Sequence, residues 1–523
     1  MTFAVLRALH AILGDALNDI EAVYTQADPS PIPTPPPPPS HRKAPSFSKA
    51  YASPPPSPSS ALPDPTAANP TRLDFPSLDA PCDPASPSEQ LTAHPAVVAA
   101  INRIVAAAGQ LAASVQVPFL SLCDASMGYH LPACLRLLEA AHVPELLRAG
   151  PVHVREIAAR TGVEQATLAH ILRLLATHHL LREAAPDVFA TNRISSLLDT
   201  GKPLHTLVAQ CRKYEDDTSG VAAFVGLCTD ELYKSSAYLT ESVFPGAARL
   251  DPTRAPFNYA FGCGGVGYFA ANGKTTASPN PNRFRLERFG KAMAGTGSWE
   301  APGAVLHGFD WGALPRGSVV VDVGGGIGST SMLLASAYAE PTGGGGLRFV
   351  IQDRSVVVEM GEKAWRSKCP ELLDSGAVKI AVHDFFAPQP IAGAAVFLLR
   401  VVLHDWPDAF AQRILLRLRE AAEPHTKLVL ADFVLPLACV DDFGVGPQVE
   451  GAEKMLAPAP LLANLGKASA NAYWMDLTMQ VTFNGQERTL RETVALALSA
   501  GWKVMRVTKA PGSLFGHIVA VPV

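Results

Sequence analysis

The sequence offers no paired cysteines. Its eight (Cys82, Cys123, Cys134, Cys211, Cys228, Cys263, Cys369 and Cys439) are scattered. Without a CxxC or another metal-ligand spacing, neither a zinc site nor a redox dithiol is expected, and no metal is assigned. Free thiols in a reducing compartment, the cytoplasm, are the expected state. Charge is also scarce: 17% of 523 residues are charged, with a net charge of −4. That balance gives no electrostatic reason to expect nucleic acid or an anionic membrane as partner. Long apolar runs are missing as well. No stretch of roughly 18 apolar residues is uninterrupted, so no transmembrane helix is expected. The apolar N-terminus carries Arg7, His10 and Asp15; residues 1–27 read as an amphipathic helix rather than a signal peptide.

Proline is what the chain has in plenty, 46 in all, concentrated between Pro29 and Ser88 and including the run Pro35 to Pro39. Proline removes backbone donors, and this stretch has too little apolar surface to offset chain entropy. Residues 28–88 therefore read as a disordered or polyproline-like tether. A ligand for an SH3-type domain fits the same composition, but the plain linker is the preferred reading.

Ordered sequence is expected from Glu89, with Val97, Ile101, Ile104, Val105 and Leu111 at helical spacing. Residues 154–163 then read as a helix and turn, Glu164 to His178 as a second helix, and Leu180 to Thr191 as a hairpin. That is the order of a winged helix. Such a unit binds DNA or serves as a dimerisation module. The second helix carries Arg173 but also Leu168, Ile171, Leu172, Leu174 and Leu175. A recognition helix needs more exposed Lys, Arg, Asn or Gln, which favours dimerisation over 89–210. Beyond it, Phe257, Tyr259, Phe261, Tyr268, Phe269, Phe284, Phe289 and Trp299 are unusually dense. Core packing explains most of them; some suit a flat apolar pocket.

The chemistry lies beyond Leu314. Val319 to Val323 is a β-branched run suited to a buried parallel strand. It leads into Gly324-Gly325-Gly326-Ile327-Gly328 and a helix from Ser329 to Tyr338. Strand, glycine turn and helix form a nucleotide-cofactor site at the edge of an α/β sheet. A second strand ends at Asp353, placed to bond ribose hydroxyls. The nicotinamide fingerprint G-x-G-x-x-G/A fails, because its third position is Ser329. Further strands are expected at Val378 to Phe386, Ala395 to Arg400, Lys427 to Phe433, Trp502 to Thr508 and Phe515 to Val521. Asp408 is expected to cap a helix over 409–422.

Six segments in this order resemble the plant caffeic acid and flavonoid type of class I S-adenosylmethionine-dependent O-methyltransferases, which also occur in fungal secondary metabolism. They are Asp322 to Gly328, the strand end at Asp353, His383 to Phe386, Leu403 to Asp408, Ala431 to Pro436 and Asn484 to Thr489. The resemblance implies a Rossmann-like α/β methyltransferase domain over 211–523, behind a helical, winged-helix-like dimerisation domain, in a homodimer. It implies S-adenosyl-L-methionine as cofactor and a hydroxylated aromatic small molecule as substrate.

The resemblance also implies site residues. His404 is the general base, flanked by Asp432 and Glu487, although the family more often has glutamate where Asp432 stands. Gly324 and Gly326 form the cofactor loop, with Asp353 on the ribose and Asp384 and Phe385 on the adenine. Arg400 contacts the cofactor or its loop, and Met293 falls on a substrate-clamping position. Asp405 fixes the turn or the cofactor's polar end. The Pro/Ala/Gly-rich stretch 437–471 departs from the plant pattern by its length and reads as a surface excursion. Two other readings stay open: nitrogen methylation or another reaction on the same scaffold, and a cofactor-binding or DNA-binding regulator without catalysis.

Overall fold

The computed structural model describes residues 2–27, 73–210, 213–214, 218–244, 251–273, 283–295, 303–340, 345–440, 449–452, 457–509 and 515–523. Residues 28–72 of the expected tether, Trp299, and positions 441–448 and 453–456 of the insertion lie outside them.

The amphipathic stripe of the N-terminus makes a helix, Phe3–Gln26, that lies antiparallel on a second helix, Pro95–Val115. At one end Ala16, Ile20 and Tyr24 pack on Val97 and Ala100; at the other Leu9 packs on Ala106 and Ala107. Each large apolar side chain buried this way contributes about 1.5–3 kcal/mol. The second helix is apolar and long enough to cross a membrane by composition alone. Here its stripe is covered by the first, and Arg103 pairs with Asp19 at 2.5 Å. Residues 73–88 of the expected tether belong to the described fold, ahead of the expected start at Glu89. The reason is long-range bonding: Tyr24 donates to the Ser88 carbonyl, Arg193 N–H to Leu78 O, and Cys82 N–H to Ser196 Oγ.

Helices Val154–Thr161 and Gln165–Thr177 meet at Gly162, whose φ of +73° suits a residue without Cβ. Glu164 caps the second helix by accepting from Ala166 and Thr167 N–H. Strands β1 (Val152–His153), β2 (Arg182–Ala185) and β3 (Val188–Ala190) form a small sheet in the order β1-β3-β2. Arg173, the one arginine of the second helix, is engaged by Glu183 and Asp187 of the hairpin.

Strands β4 (Val319–Val323), β5 (Arg348–Asp353), β6 (Val378–Val382), β7 (Val396–Arg400), β8 (Lys427–Phe433), β9 (Trp502–Thr508) and β10 (Phe515–Pro522) make one sheet. Their order is β6-β5-β4-β7-β8-β10-β9. β4 to β8 are parallel; β10 runs antiparallel between β8 and β9. Apolar clusters cover both faces, one around Ile414, Leu415, Leu418 and Trp502, the other around Trp311, Leu334 and Trp365. The order reverses between β4 and β7, and such a switch point opens a crevice at the strands' carboxyl ends.

Two expectations need correcting. The strand expected to reach Phe386 stops at Val382, because Asp384 accepts Phe386 N–H and turns the chain. The 437–471 stretch is not a free excursion where it is described. Val449 is buried in the sheet core, Glu450 bridges to Arg506 of β9, and Leu461 packs with Leu9 and Ala106 of the N-terminal helices.

Candidate active site

The glycine turn after β4 is built by close approach. Gly324, Gly326 and Gly328 all have positive φ (+70°, +61° and +82°). A Cβ on Gly328 would sit 2.5 Å from the Trp365 indole nitrogen, and one on Gly325 2.5 Å from the Asp322 carboxyl. Asp322 is buried beneath the turn and accepts from Ser331 Oγ at 2.6 Å. Burial pushes its pKa up to about 6, against the opposing effects of that bond and of Arg400. Asp353, at the end of β5, accepts the Gly326 N–H at 2.9 Å, so the acidic strand end and the loop are tied together. The Gln352 carbonyl accepts from Gly324 and Gly325, while its side chain pairs with Gln389.

These residues fit a cationic nucleoside better than a pyrophosphate. The turn is flanked by the carboxylates of Asp322 and Asp353, which would repel phosphate at the following helix N-terminus. Gly326 faces open space where a Cβ would stand, and Gly324 faces Val402 and the Phe385 ring at 3.1 and 3.5 Å. Phe385 therefore walls the loop. Asp384 is exposed beside it. Arg400, at the end of β7, lies over the Phe515 ring at 4.9 Å, with its charge felt at Asp322.

β7 then delivers the second half of the site. Val401 has a φ of +51°, an outlier for a β-branched residue, and its N–H donates to Ala431 O. The chain turns through Leu403–Asp405, placing His404 in the interior, 9% exposed. His404 Nδ1 lies 2.6 Å from Glu487 Oε1. Its Nε2 is 3.5 Å from Asp405 Oδ1. Burial alone would lower the imidazole pKa. The charge of Glu487 and the bond to it, with Asp405 and Asp432 behind, override burial and raise it to about 9. Burial likewise raises the carboxyls of Asp405 and Asp432.

Asp432 does not share the flanking role evenly with Glu487. It stands at the end of β8 within electrostatic reach of His404, yet its Oδ1 is buried without a hydrogen-bond partner among the described residues. Aspartate is one methylene shorter than the glutamate that the resemblance leads one to expect here. Glu487 Oε2 is also buried and unpartnered. Both oxygens are aceptors that a ligand's donor would satisfy.

Further residues build the site that motif reading did not single out for a role. Asp476 accepts the Glu487 N–H at 2.9 Å, and Gln486 N–H donates to His404 O at 2.9 Å. Arg488 reaches Leu403 O and Trp406 O. Asp408 is not a cap but the first residue of helix Asp408–Ala421, and its carboxylate accepts from Arg488 and Gln486. The helix Ala470–Phe483, which leads into Glu487, also carries Met479 and Phe483. These join Phe257, Tyr268, Phe269 and Phe289 in an aromatic cluster. Arg354 lies over Phe269 at 4.7 Å, and its charge is felt at Asp405, so cluster and site adjoin. Met293, one turn after Phe289 on helix Arg283–Gly295, is 42% exposed. Phe289 is the side chain of that helix that packs into the aromatic cluster.

The profile of the O-methyltransferase domain matches residues 237–443, and that of the O-methyltransferase dimerisation domain matches 123–201. An O-methyltransferase of Armillaria gallica is 40% identical over 83% of this chain and 92% of its own. The 4-O-methyltransferase 1 of Phanerochaete chrysosporium is 38% identical over 86% of this chain and 94% of its own. Among solved structures, the calicheamicin-biosynthesis methyltransferase CalO1 with S-adenosylhomocysteine bound is 25% identical. It has a TM-score of 0.53 and covers 78% of this chain and 98% of its own. The chain belongs to the O-methyltransferase family.

Proposed function

We propose that the protein methylates a hydroxyl of a small aromatic molecule from S-adenosylmethionine, with His404 as general base. The observation that carries this is the buried His404–Glu487 pair at the switch point, between the glycine turn and the aromatic cluster. When bound, S-adenosylmethionine supplies a methyl on a positively charged sulfur whose departure leaves a neutral thioether. Gly324, Gly326, Asp353, Asp384 and Phe385 would hold it, with Arg400 bracing the loop from β7.

The chain's own part is alignment, dryness and proton removal. Glu487 takes the Nδ1–H, which leaves Nε2 as the basic atom. As the substrate oxygen bonds to carbon, its proton passes to Nε2. A phenol titrates near 10, close to the value of about 9 on His404. Transfer between groups so matched has little uphill component. The imidazolium formed is stabilised by Glu487, with Asp432 and Asp405 adding charge at longer range.

The N-terminal unit is the dimerisation element of this reading. Val115, Val117, Phe119, Leu120, Leu122, Met127 and Tyr129 are exposed apolar side chains within one short stretch of it. So many exposed apolar side chains on a dimerisation domain suit a second copy of the chain.

The test uses S-adenosylmethionine with a carbon-13 methyl and a panel of phenols, catechols and aliphatic alcohols. An aryl methyl ether among the products supports the reading. Transfer to alcohols or amines alone, with the phenols untouched, overturns it.

A further inference from the structure

The turn that carries His404 is gripped from outside by one buried guanidinium. Arg488 is 5% exposed. Its Nη1 donates to Leu403 O at 3.0 Å and its Nη2 to Trp406 O at 2.8 Å, the carbonyls on either side of His404-Asp405. Nε and Nη2 also donate to Asp408 Oδ1, at 2.9 and 2.8 Å. Gln486 N–H holds the His404 carbonyl itself, and Gly485 packs on the same carbonyl so closely that no Cβ fits. The turn starts from the strained Val401. Strain of this kind persists only where surrounding contacts over-determine it.

Resting on the reading of His404 as base, we infer that Arg488 is a positioning residue for methyl transfer, holding the imidazole and Glu487 in register. Three facts carry this. Glu487 and Arg488 are adjacent, so one short segment fixes both the ring, through Nδ1, and the backbone that bears it. The planar guanidinium donates in three directions at once, which an ammonium on a flexible stem does not reproduce. The guanidinium is itself buried, so its loss takes these donors from the Leu403 and Trp406 carbonyls.

The experiment compares wild type, Arg488→Lys, Arg488→Ala, Asp408→Asn and His404→Gln, measuring kcat, substrate KM, the pH–rate profile and the cofactor Kd by calorimetry. Expected for Arg488→Lys is a 10- to 100-fold fall in kcat, with cofactor Kd within about threefold. Its rising pH limb should move to lower pH, because a loosened His404–Glu487 contact supports the imidazolium less. Asp408→Asn should move the same limb by less, and added guanidinium ion should restore part of the Arg488→Ala activity. The inference is overturned if His404→Gln is inactive while Arg488→Lys keeps its kcat and pH limb. It is also overturned if Arg488→Lys and Asp408→Asn lose activity only in proportion to cofactor-binding protein, with the limb unmoved. An active His404→Gln sinks the base assignment itself, a separate failure.

Discussion

Glu487 Oε1 stands 2.6 Å from His404 Nδ1, inside the protein and across 83 residues of chain. This contact sets which ring nitrogen is basic and how basic it is. An imidazole buried without it would titrate below its usual value; with it, the value rises to about 9. The proposed base works when neutral, and protonation below that value removes it. The rate should therefore climb with pH through neutrality and level off only as the pH passes about 9. Measurement of kcat/KM against pH checks this; a flat profile between pH 6.5 and 9 contradicts it.

Glu487→Gln removes the charge that does most to raise the His404 value. The rising limb should shift to lower pH by about a unit or more, and the plateau rate should fall about 10- to 100-fold. Asp432→Asn should cost less, because Asp432 has no bond to the ring to lose. Equal losses in the two variants would show that the carboxylates act alike.

Asp353→Asn keeps the size of the side chain but removes a charge tied to the Gly326 N–H. The cofactor Kd should rise by about 10-fold or more, with little change in kcat at saturation. Gly328→Ala should act on folding instead. Its Cβ would meet the Trp365 indole at a positive φ, costing about 2–3 kcal/mol by thermal unfolding without cofactor.

Phe119→Glu with Leu122→Glu places two charges among the exposed apolar side chains of the dimerisation unit. Sedimentation at micromolar concentration should show a shift from dimer towards monomer. An unchanged mass moves the interface elsewhere.

Local chemistry was the legible part of this protein. Val319 to Val323 and the glycines after it announce strand and turn, because β-branching and positive φ are properties of single residues. Helix Ser329–Tyr338 appears with its expected ends. Glu487 alone reads as an ordinary charge; only its place in a family motif drew attention to it. The grip of Arg488, the bond from Glu487 N–H to Asp476 and the strain at Val401 come from contacts far apart in sequence, which no local pattern encodes. The same is true of Leu461 under Leu9, which binds the insertion to the N-terminal helices, and of the bonds that hold residues 73–88. Asp432 stands near His404 as its motif implies, but its short arm makes no bond to the ring, since a motif gives position and one methylene decides reach.

The central claim is that His404 removes the proton, and one measurement meets it directly. Single-turnover methyl transfer to a phenolic acceptor is compared between wild type and His404→Gln, with cofactor saturating and its Kd measured for both. A fall of roughly 100-fold or more in the variant, at unchanged cofactor affinity, is the result this account predicts. Transfer at the wild-type rate would contradict it and remove His404 from the chemistry.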